Sequence, residues 1–596
     1  YACVSPEPGD PAIRLVDVVD AMRARGYRSP FLLRFPQILR NRVVRLHAAF
    51  QAAIEEFEYP ERYQGVYPVK VNQQRVVVES LVEESAAHRY GLEVGSKGEL
   101  VLALTQDLDE EAYIVCNGFK DRDFIELALR AEKSDRRVLI ICETLTEVGE
   151  VLEIAGEIDV RPRLGVRVRL HSQGAGKWVE SGGDRAKFGL STLEILECME
   201  LLERAGQPDV LQCLHFHVGS QISDILAIKE AVKEAARLYC HIRRRAHGLA
   251  LIDLGGGLGI DYDGSSTASD WSRNYTLEEY CRDCVWNVLS VCQQEDVPPP
   301  RLMSETGRAV TAFGTVVVVS PLKVIGRTAE SPIVMPPAPC HQVVELQVAL
   351  DDMTPSTWRE MVNDARALKD EGISAFKMGF VSLEDRAAGE ALFSDVCRRA
   401  LTMLDPEVED DEEVAEIMQT VAPMLVCNFS VFQSVPDIWA FRQVFPIMPL
   451  SMLHEETLEP FTLGDITCDS DGRIDDFLSE VGAGQHTIRL PAIDLDHPYC
   501  IGIFLVGAYQ DTLGDFHNLF GSANEVSVLI DGDGGFRLVG HHRGTTVSQA
   551  VSLFGFPREE LVHRFDDRHG GDDSNDTTRY RDCFLRVLSS GTYLRR

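Results

Sequence analysis

The first residue equipped for covalent chemistry is a lysine set between valines, in Gln64-Gly65-Val66-Tyr67-Pro68-Val69-Lys70-Val71-Asn72-Gln73. Tyr67, Val69 and Val71 alternate with Pro68, Lys70 and Asn72, the period of two expected at the end of a strand. Pro68 argues against helix, because it lacks an N–H and restricts the residues before it. An amine on such a strand is partly desolvated. That disfavours the ammonium and favours the neutral form that a Schiff base with a carbonyl requires. The competing expectation is a lysine that reaches along the strand end and keeps its charge in water.

Further polar clusters fall at the ends of other apolar runs. His215-Phe216-His217-Val218-Gly219-Ser220 closes one strand, with one histidine expected to face the site and the other to point away. A neutral imidazole can stack on a flat heteroaromatic ring, and Ser220 offers a hydroxyl to a phosphate. A core histidine is the plain alternative; a zinc pair lacks further ligands nearby. Leu251–Gly259 runs from an apolar strand into Gly255, Gly256 and Gly257. Backbone N–H groups approach a phosphate closely only where no Cβ intervenes, so a phosphate nest is expected there, without the Lys-Ser/Thr of a nucleotide-hydrolysing loop. In Ser304-Glu305-Thr306-Gly307-Arg308, a carboxylate aimed at a pyridinium nitrogen would keep it protonated, which makes pyridoxal phosphate a strong electron sink. Arg308 would clamp the phosphate in bidentate fashion. Gly464–Gly472 places Cys468 beside Asp469 and Asp471 in a turn-prone loop, and Gly507-Ala508-Tyr509 follows the apolar strand Ile501–Val506.

The elements that must carry these residues alternate. Strands are expected at Tyr67–Val71, Gly91–Val94, Ala112–Cys116, Val138–Cys142, Arg163–Arg169, Leu211–His217 and Ala250–Leu254, most followed by a helix, with a short strand at Arg301–Met303. This pattern predicts an α/β fold with a (β/α)8 barrel of parallel strands over residues 31–311, whose chemistry lies where strands end. Residues 1–30 are assigned to the second domain. Gly314–Ser320 and Pro321–Ile325 are β-branched runs without intervening helices, so an antiparallel β-sandwich or barrel domain is expected over 312–355 and 421–545. A charged helical insertion occupies 356–420, with the acidic run Glu407–Glu413 as a solvated face. A helical tail spans 546–596, broken at His569–Asp576.

Ninety-three acidic residues against 59 basic ones give a formal charge of −34, which disfavours nucleic acid and anionic membrane as partners. Fifteen cysteines lack disulfide spacing, and the CxxC at Cys281 and Cys284 has no second pair, so two helical cysteines are expected there. No apolar run is long enough for a membrane span, and no signal-peptide layout is seen. These features predict a cytoplasmic protein.

The joint order of Leu33–Leu39, Tyr67–Asn72, Tyr90–Leu100, His215–Ser220, Asp253–Tyr262, Asn428–Ser434 and Ile466–Gly472 resembles the pyridoxal-phosphate decarboxylases of the alanine-racemase fold. Within that group the resemblance is to the biosynthetic arginine decarboxylases and covers most of the chain. It implies conversion of L-arginine to agmatine and CO2, the first step of a polyamine route. Lys70 would hold the cofactor, His217 stack on its ring, and Glu305 pair with the ring nitrogen. Ser220, Gly255, Gly256, Gly257 and Arg308 would bind the phosphate, with a further contact from Tyr509. Glu93 takes the place of an acidic residue near the amine, with Arg167 as its partner. Cys468 resembles the thiol that returns a proton after CO2 leaves, and Asp469 or Asp471 would meet the distal cation of the substrate. In relatives this loop comes from a second subunit, which implies a homodimer with two shared sites. The insertion and tail are the surfaces offered for a tetramer. Magnesium is associated with the family, but no ligand set can be assigned. Asn428-Phe429-Ser430 stands where ornithine-specific relatives carry Asp-Gly, which argues against ornithine. Alternatives on the same fold are decarboxylation of diaminopimelate, ornithine or lysine, racemisation, or a non-catalytic regulator.

Overall fold

Eight short strands close a parallel barrel, in the order β7-β8-β1-β2-β3-β4-β5-β6 with β6 pairing back to β7. They are β1 (Tyr63–Pro68), β2 (Gly91–Val94), β3 (Ile114–Cys116), β4 (Val138–Cys142), β5 (Leu164–Arg167), β6 (Leu211–His215), β7 (Leu251–Asp253) and β8 (Arg301–Ser304). The structure, a computed structural model, describes residues 1–171, 187–326, 332–404, 412–455, 458–479, 482–491, 493–495, 498–569 and 575–594. Most of the acidic run at 407–413 and of the break at 569–576 lies outside them.

Both faces of each barrel strand are covered, which is why Val138–Cys142 reads as an unbroken apolar run. Val66, Val115, Leu139, Ile141, Cys213, Leu251 and Met303 fill the barrel interior, and the outer helices bury their apolar stripes against the other face. Several loops leaving the strands end in side-chain caps. The side chains of Ser96, Asp121, Thr144, Ser191 and Thr276 each accept the amide N–H three residues on, so each following helix starts at a defined point above its strand. The helix Leu277–Gln294 carries Cys281 and Cys284, both buried and free, as two helical cysteines.

The strand Phe31–Arg34 does not belong to the barrel, contrary to the boundary of 31–311 expected from the sequence. It lies in a six-stranded sheet between β9 (Thr315–Val319) and the strand Asn524–Ile530. Its alternate residues Phe31 and Leu33 are buried with Val316, Val318, Val526 and Val528, and helix Leu15–Ala24 packs on the same cluster. The core of the β domain therefore claims this strand, and the barrel opens at β1.

Nor is that domain wholly antiparallel. Phe31–Arg34 runs parallel to Asn524–Ile530, and Met424–Cys427 runs parallel to Leu458–Gly464 in a second sheet. Each parallel pair is separated by a long excursion of chain, which is what parallel pairing requires. The helical insertion starts earlier than residue 356. Helix His341–Asp352 joins Trp358–Lys377, Leu383–Leu401 and Glu412–Val421 around their own core of Val343, Leu346, Val362, Leu392, Val396, Val414 and Ile417. The tail contributes helices Val547–Leu553, Arg558–His569 and Asn575–Leu588. Among the described residues, no helix is long and apolar enough to cross a membrane.

Candidate active site

β1 stops at Pro68, and the chain enters a single 3-10 turn, Val69–Val71, in place of the expected strand end. Val69 and Val71 are buried while Lys70 between them reaches into a pocket. The β domain clasps this turn. Asn72 Nδ2 donates to the Gly507 carbonyl (2.9 Å) and to Asp511 Oδ2 (2.7 Å), and the Tyr509 N–H donates to the Val71 carbonyl (2.8 Å). Asp511 in turn pairs with Arg34 (2.9 Å), whose side chain is 1% exposed and also engages Glu525. Arg34, Asn72 and Asp511 thus position the lysine turn from outside the barrel, a role that their sequence contexts do not single out.

Lys70 Nζ donates to Glu93 Oε2 at 2.6 Å. Burial works against the ammonium, but Glu93 and Glu305 outweigh it and raise the pKa of Lys70 above the ordinary lysine range. The desolvated neutral amine expected from the flanking valines is therefore not the resting state, and Glu93 is the group that keeps the charge. Glu93 itself is 1% exposed, and its Oε1 has no hydrogen-bond partner. Arg167 does not meet Glu93. It pairs with Glu143 at 3.6 Å and lies over the Phe188 ring, because two strands separate β5 from β2, whereas β4, which leads to Glu143, is its neighbour.

The pocket around Lys70 is lined by His217, Ser220, Gly256, Gly257, Glu305, Arg308 and Tyr509, residues drawn from four separate stretches. His217 Nδ1 accepts the Gly219 N–H (3.0 Å), which leaves its proton on Nε2. Burial, followed by Arg167 and Lys70, drives the His217 pKa well below the usual value, so the ring is neutral. Arg308 Nη2 donates to Ser220 Oγ (3.3 Å) and Nη1 to the Tyr262 hydroxyl (3.1 Å), while its guanidinium sits 4.8 Å from the Tyr509 ring centroid. Tyr509 holds a left-handed φ of 68°, a strained conformation for an aromatic residue.

Two of the glycines leave room that a side chain would fill, and Gly256 does so beside the imidazole. A Cβ on Gly256 would stand 3.2 Å from His217 Nε2, and one on Gly257, at φ +113°, would meet Ile222 at 2.7 Å. Gly255 plays a different part. Its N–H is committed to Asp253 Oδ1 (3.0 Å), so it forms the turn, and its amide is not free for an anion. A flat, phosphate-bearing ring fits this arrangement, with a lysine amine at one end, a glycine-lined wall, and an arginine and serine at the other.

His215 and His217 both turn into this region, against the expectation that one points away, because residues two apart on an extended chain share a face. His215 Nδ1 lies 3.1 Å from Asp253 Oδ2 and 3.7 Å from Glu305 Oε1, and Asn117 Nδ2 donates to Glu305 Oε1 at 2.6 Å. Asn117, His215 and Asp253 are additions to the expected set; the signal that could find them is that each lies at or just past the end of a barrel strand. Two buried carboxylates whose oxygens lie within 4.8 Å would repel by roughly 3–4 kcal/mol at an intermediate dielectric. Burial raises the pKa of both; the Asp253 charge adds to it for Glu305, while for Asp253 the Gly255 N–H and Glu305 offset part of the rise and the Glu93 charge adds to it.

Cys468, Asp469 and Asp471 do not reach the pocket of their own chain. They are exposed on the loop between Leu458–Gly464 and Arg473–Ile474. That loop is nonetheless well built. Asp465 accepts the N–H of Val431 (2.9 Å) and of Thr467 (2.8 Å), and the Cys468 N–H donates to Asn518 Oδ1 (2.9 Å). Asp469 lies 3.6 Å from His517.

Fold and pocket together define a pyridoxal-dependent decarboxylase. Residues 40–312 match the family profile described as pyridoxal-dependent decarboxylase, pyridoxal binding domain, and residues 338–419 match the arginine decarboxylase helical bundle domain. The chain belongs to the biosynthetic arginine decarboxylase family. It is 41% identical to the biosynthetic arginine decarboxylase of Deinococcus radiodurans over 95% of this chain and 85% of that one, and 39% identical to that of Rhodopirellula baltica over 99% and 94%. The solved structure of the biosynthetic arginine decarboxylase from Campylobacter jejuni superposes with a TM-score of 0.87 at 30% identity, covering 100% of this chain and 97% of that one.

Proposed function

We propose that this chain removes the α-carboxylate of L-arginine, giving agmatine and CO2, at the pocket around Lys70. The observation that carries the reading is the convergence of Lys70, Glu93, His217, Glu305 and Arg308 from separate strand ends, on a chain of this family. Pyridoxal phosphate, when bound, supplies the sink for the electron pair left behind by CO2. Lys70 provides the amine that holds it, and Glu93 takes the ammonium proton when the amine must be neutral. Neutral His217 offers a flat face to the ring, and Glu305 accepts the hydrogen bond of the ring nitrogen. Ser220, Arg308 and Tyr509 grip the phosphate, with Gly256 and Gly257 leaving it space.

Cys468 is the proton donor to the carbon, and Asp469 or Asp471 receives the guanidinium; a guanidinium–carboxylate pair at 4 Å is worth about 4 kcal/mol at intermediate dielectric before desolvation. Because these residues are exposed and rigidly held away from their own barrel, they serve a second copy of the chain in a homodimer. The helical insertion and tail are the surfaces for a further pairing of dimers. The free state of all fifteen cysteines supports a reducing, cytoplasmic setting.

Magnesium has no home in this reading. Among the described residues, the one carboxylate–imidazole cluster with ligand spacing is His215, Asp253 and Glu305, fully buried, whereas Mg2+ prefers oxygen ligands and retains several waters. No step is routed through it. Release of labelled CO2 from arginine, with little from ornithine, lysine or diaminopimelate, is the expected result; no release from arginine defeats the proposal.

A further inference from the structure

A proton is needed beneath Glu305, and the fold provides a place to keep it. Strands β6 and β7 pair in register with His215 opposite Asp253, so their last side chains enter the same space, and Glu305 follows β8 beside them. All three are enclosed, and His215 Nε2 has no hydrogen-bond partner. The charges facing this cluster come from every side of the barrel mouth. Lys70, after β1, is matched by Glu93 on β2; Arg167 on β5 is matched by Glu143 after β4. His217, above, is neutral. Lys70 acts on both carboxyls through space while its hydrogen bond goes to Glu93, and Arg308, the further cation of the pocket, engages Ser220, Tyr262 and the Tyr509 ring. Asp253 and Glu305, two enclosed carboxyls whose oxygens lie within 4.8 Å, hold one proton between them, and His215 is the other proton site in contact.

We propose that His215 and Asp253 are positioning residues that take this proton off Glu305, leaving Glu305 a carboxylate able to accept from the cofactor's ring nitrogen. The transfer is a proton shift alone: the O–H bond on Glu305 breaks, and an N–H bond on His215 or an O–H bond on Asp253 forms. Asn117 Nδ2 and the Gly255 N–H hold the two carboxyls in place on their outer sides. The inference rests on Glu305 as partner of the ring nitrogen.

The test uses the full chain, freed of cofactor, with pyridoxal phosphate as the probe. In wild-type apoprotein a protonated-carboxyl infrared band should persist to near-neutral pH and disappear in Asp253→Asn; a wild-type apoprotein with no such band above pH 6 overturns the proposal without any variant. His215→Gln should bind the cofactor about tenfold more weakly at neutral pH and recover at lower pH, where Asp253 protonates unaided, since tenfold corresponds to one pH unit for a single proton. An amide in place of the Asp253 carboxyl needs no proton, so the double variant His215→Gln/Asp253→Asn should return to within about threefold of wild type. An equal loss at every pH, or no rescue in the double variant, overturns it. If Glu305→Gln leaves affinity unchanged, the assignment of Glu305 falls, whatever the infrared result.

Discussion

Lys70 Nζ stands 2.6 Å from a Glu93 carboxylate that is itself shut off from water, so the amine rests as an ammonium held by one partner. Replacing that partner by Gln removes what keeps the proton on. Glu93→Gln should allow borohydride-fixed cofactor label to form on Lys70 at lower pH than in wild type, because the neutral amine appears sooner. Turnover should nevertheless fall by about 10²-fold, the usual scale for a lost proton acceptor. Mapping the label against pH checks the first part and steady-state rates the second; an unshifted profile would separate Glu93 from the protonation of Lys70.

Arg308 bridges Ser220 and Tyr262 while lying over Tyr509. Arg308→Ala should weaken cofactor binding by about 10- to 100-fold, since a hydrogen bond to a charged group is worth about 1.5–3 kcal/mol. Ser220→Ala should cost less. Equilibrium dialysis measures both, and an Arg308→Ala protein with wild-type affinity would place the phosphate elsewhere.

A mixture of inactive Lys70→Ala and Cys468→Ala proteins should regain part of the activity. One hybrid site in each mixed dimer would have both groups intact. Native mass spectrometry can establish that subunits have exchanged. No recovery after proven exchange would put both residues in one chain's site.

What is legible in the sequence, and what is not, divides along a physical line. Lys70, His217, Glu305 and Arg308 sit at strand ends whose apolar runs, glycines and Pro68 are local signals, and the structure gathers them into one pocket. The charge state of Lys70 escapes a local reading because Glu93 is its neighbour on the adjacent strand β2 rather than along the chain. Arg167 pairs with a different carboxylate from the expected one for the same reason: Glu93 and Glu143 are alike in type, and only strand order separates them. His215 and Asp253 belong to motifs whose local signal lies in other residues, and their partnership is set by the parallel register of β6 and β7. Phe31–Arg34 reads as the strand that opens the barrel because the helix after it does pack on the barrel, yet the strand's own side chains are enclosed by the other domain.

His47 offers a test at the far side of the barrel from this chemistry. Its ring stacks on His88 with centroids 4.6 Å apart, and its enclosed Nε2 lacks a partner although an edge of the residue reaches the surface. Burial, then His88, pushes its pKa down to about 3, against about 6.5 in an unfolded chain. Below pH ~6.5 the unfolded chain takes a proton that the folded one refuses. Stability therefore falls as pH drops towards 3, by at most about 1.4 kcal/mol per pH unit from this group. His47→Phe should flatten the dependence of the urea midpoint between pH 7 and about 5; an unaltered slope would remove His47 from the account.

The strand Phe31–Arg34 has a consequence for biogenesis. It leaves the ribosome well before its parallel neighbour Asn524–Ile530, which follows the whole barrel and the helical insertion. Once the barrel and β9 have emerged, Phe31–Arg34 can pair along one edge, but its other edge has no partner until Asn524–Ile530 follows. The nascent chain must hold that second edge unclaimed until the distant strand is made, and a message cut short after the barrel would release a product with that edge bare.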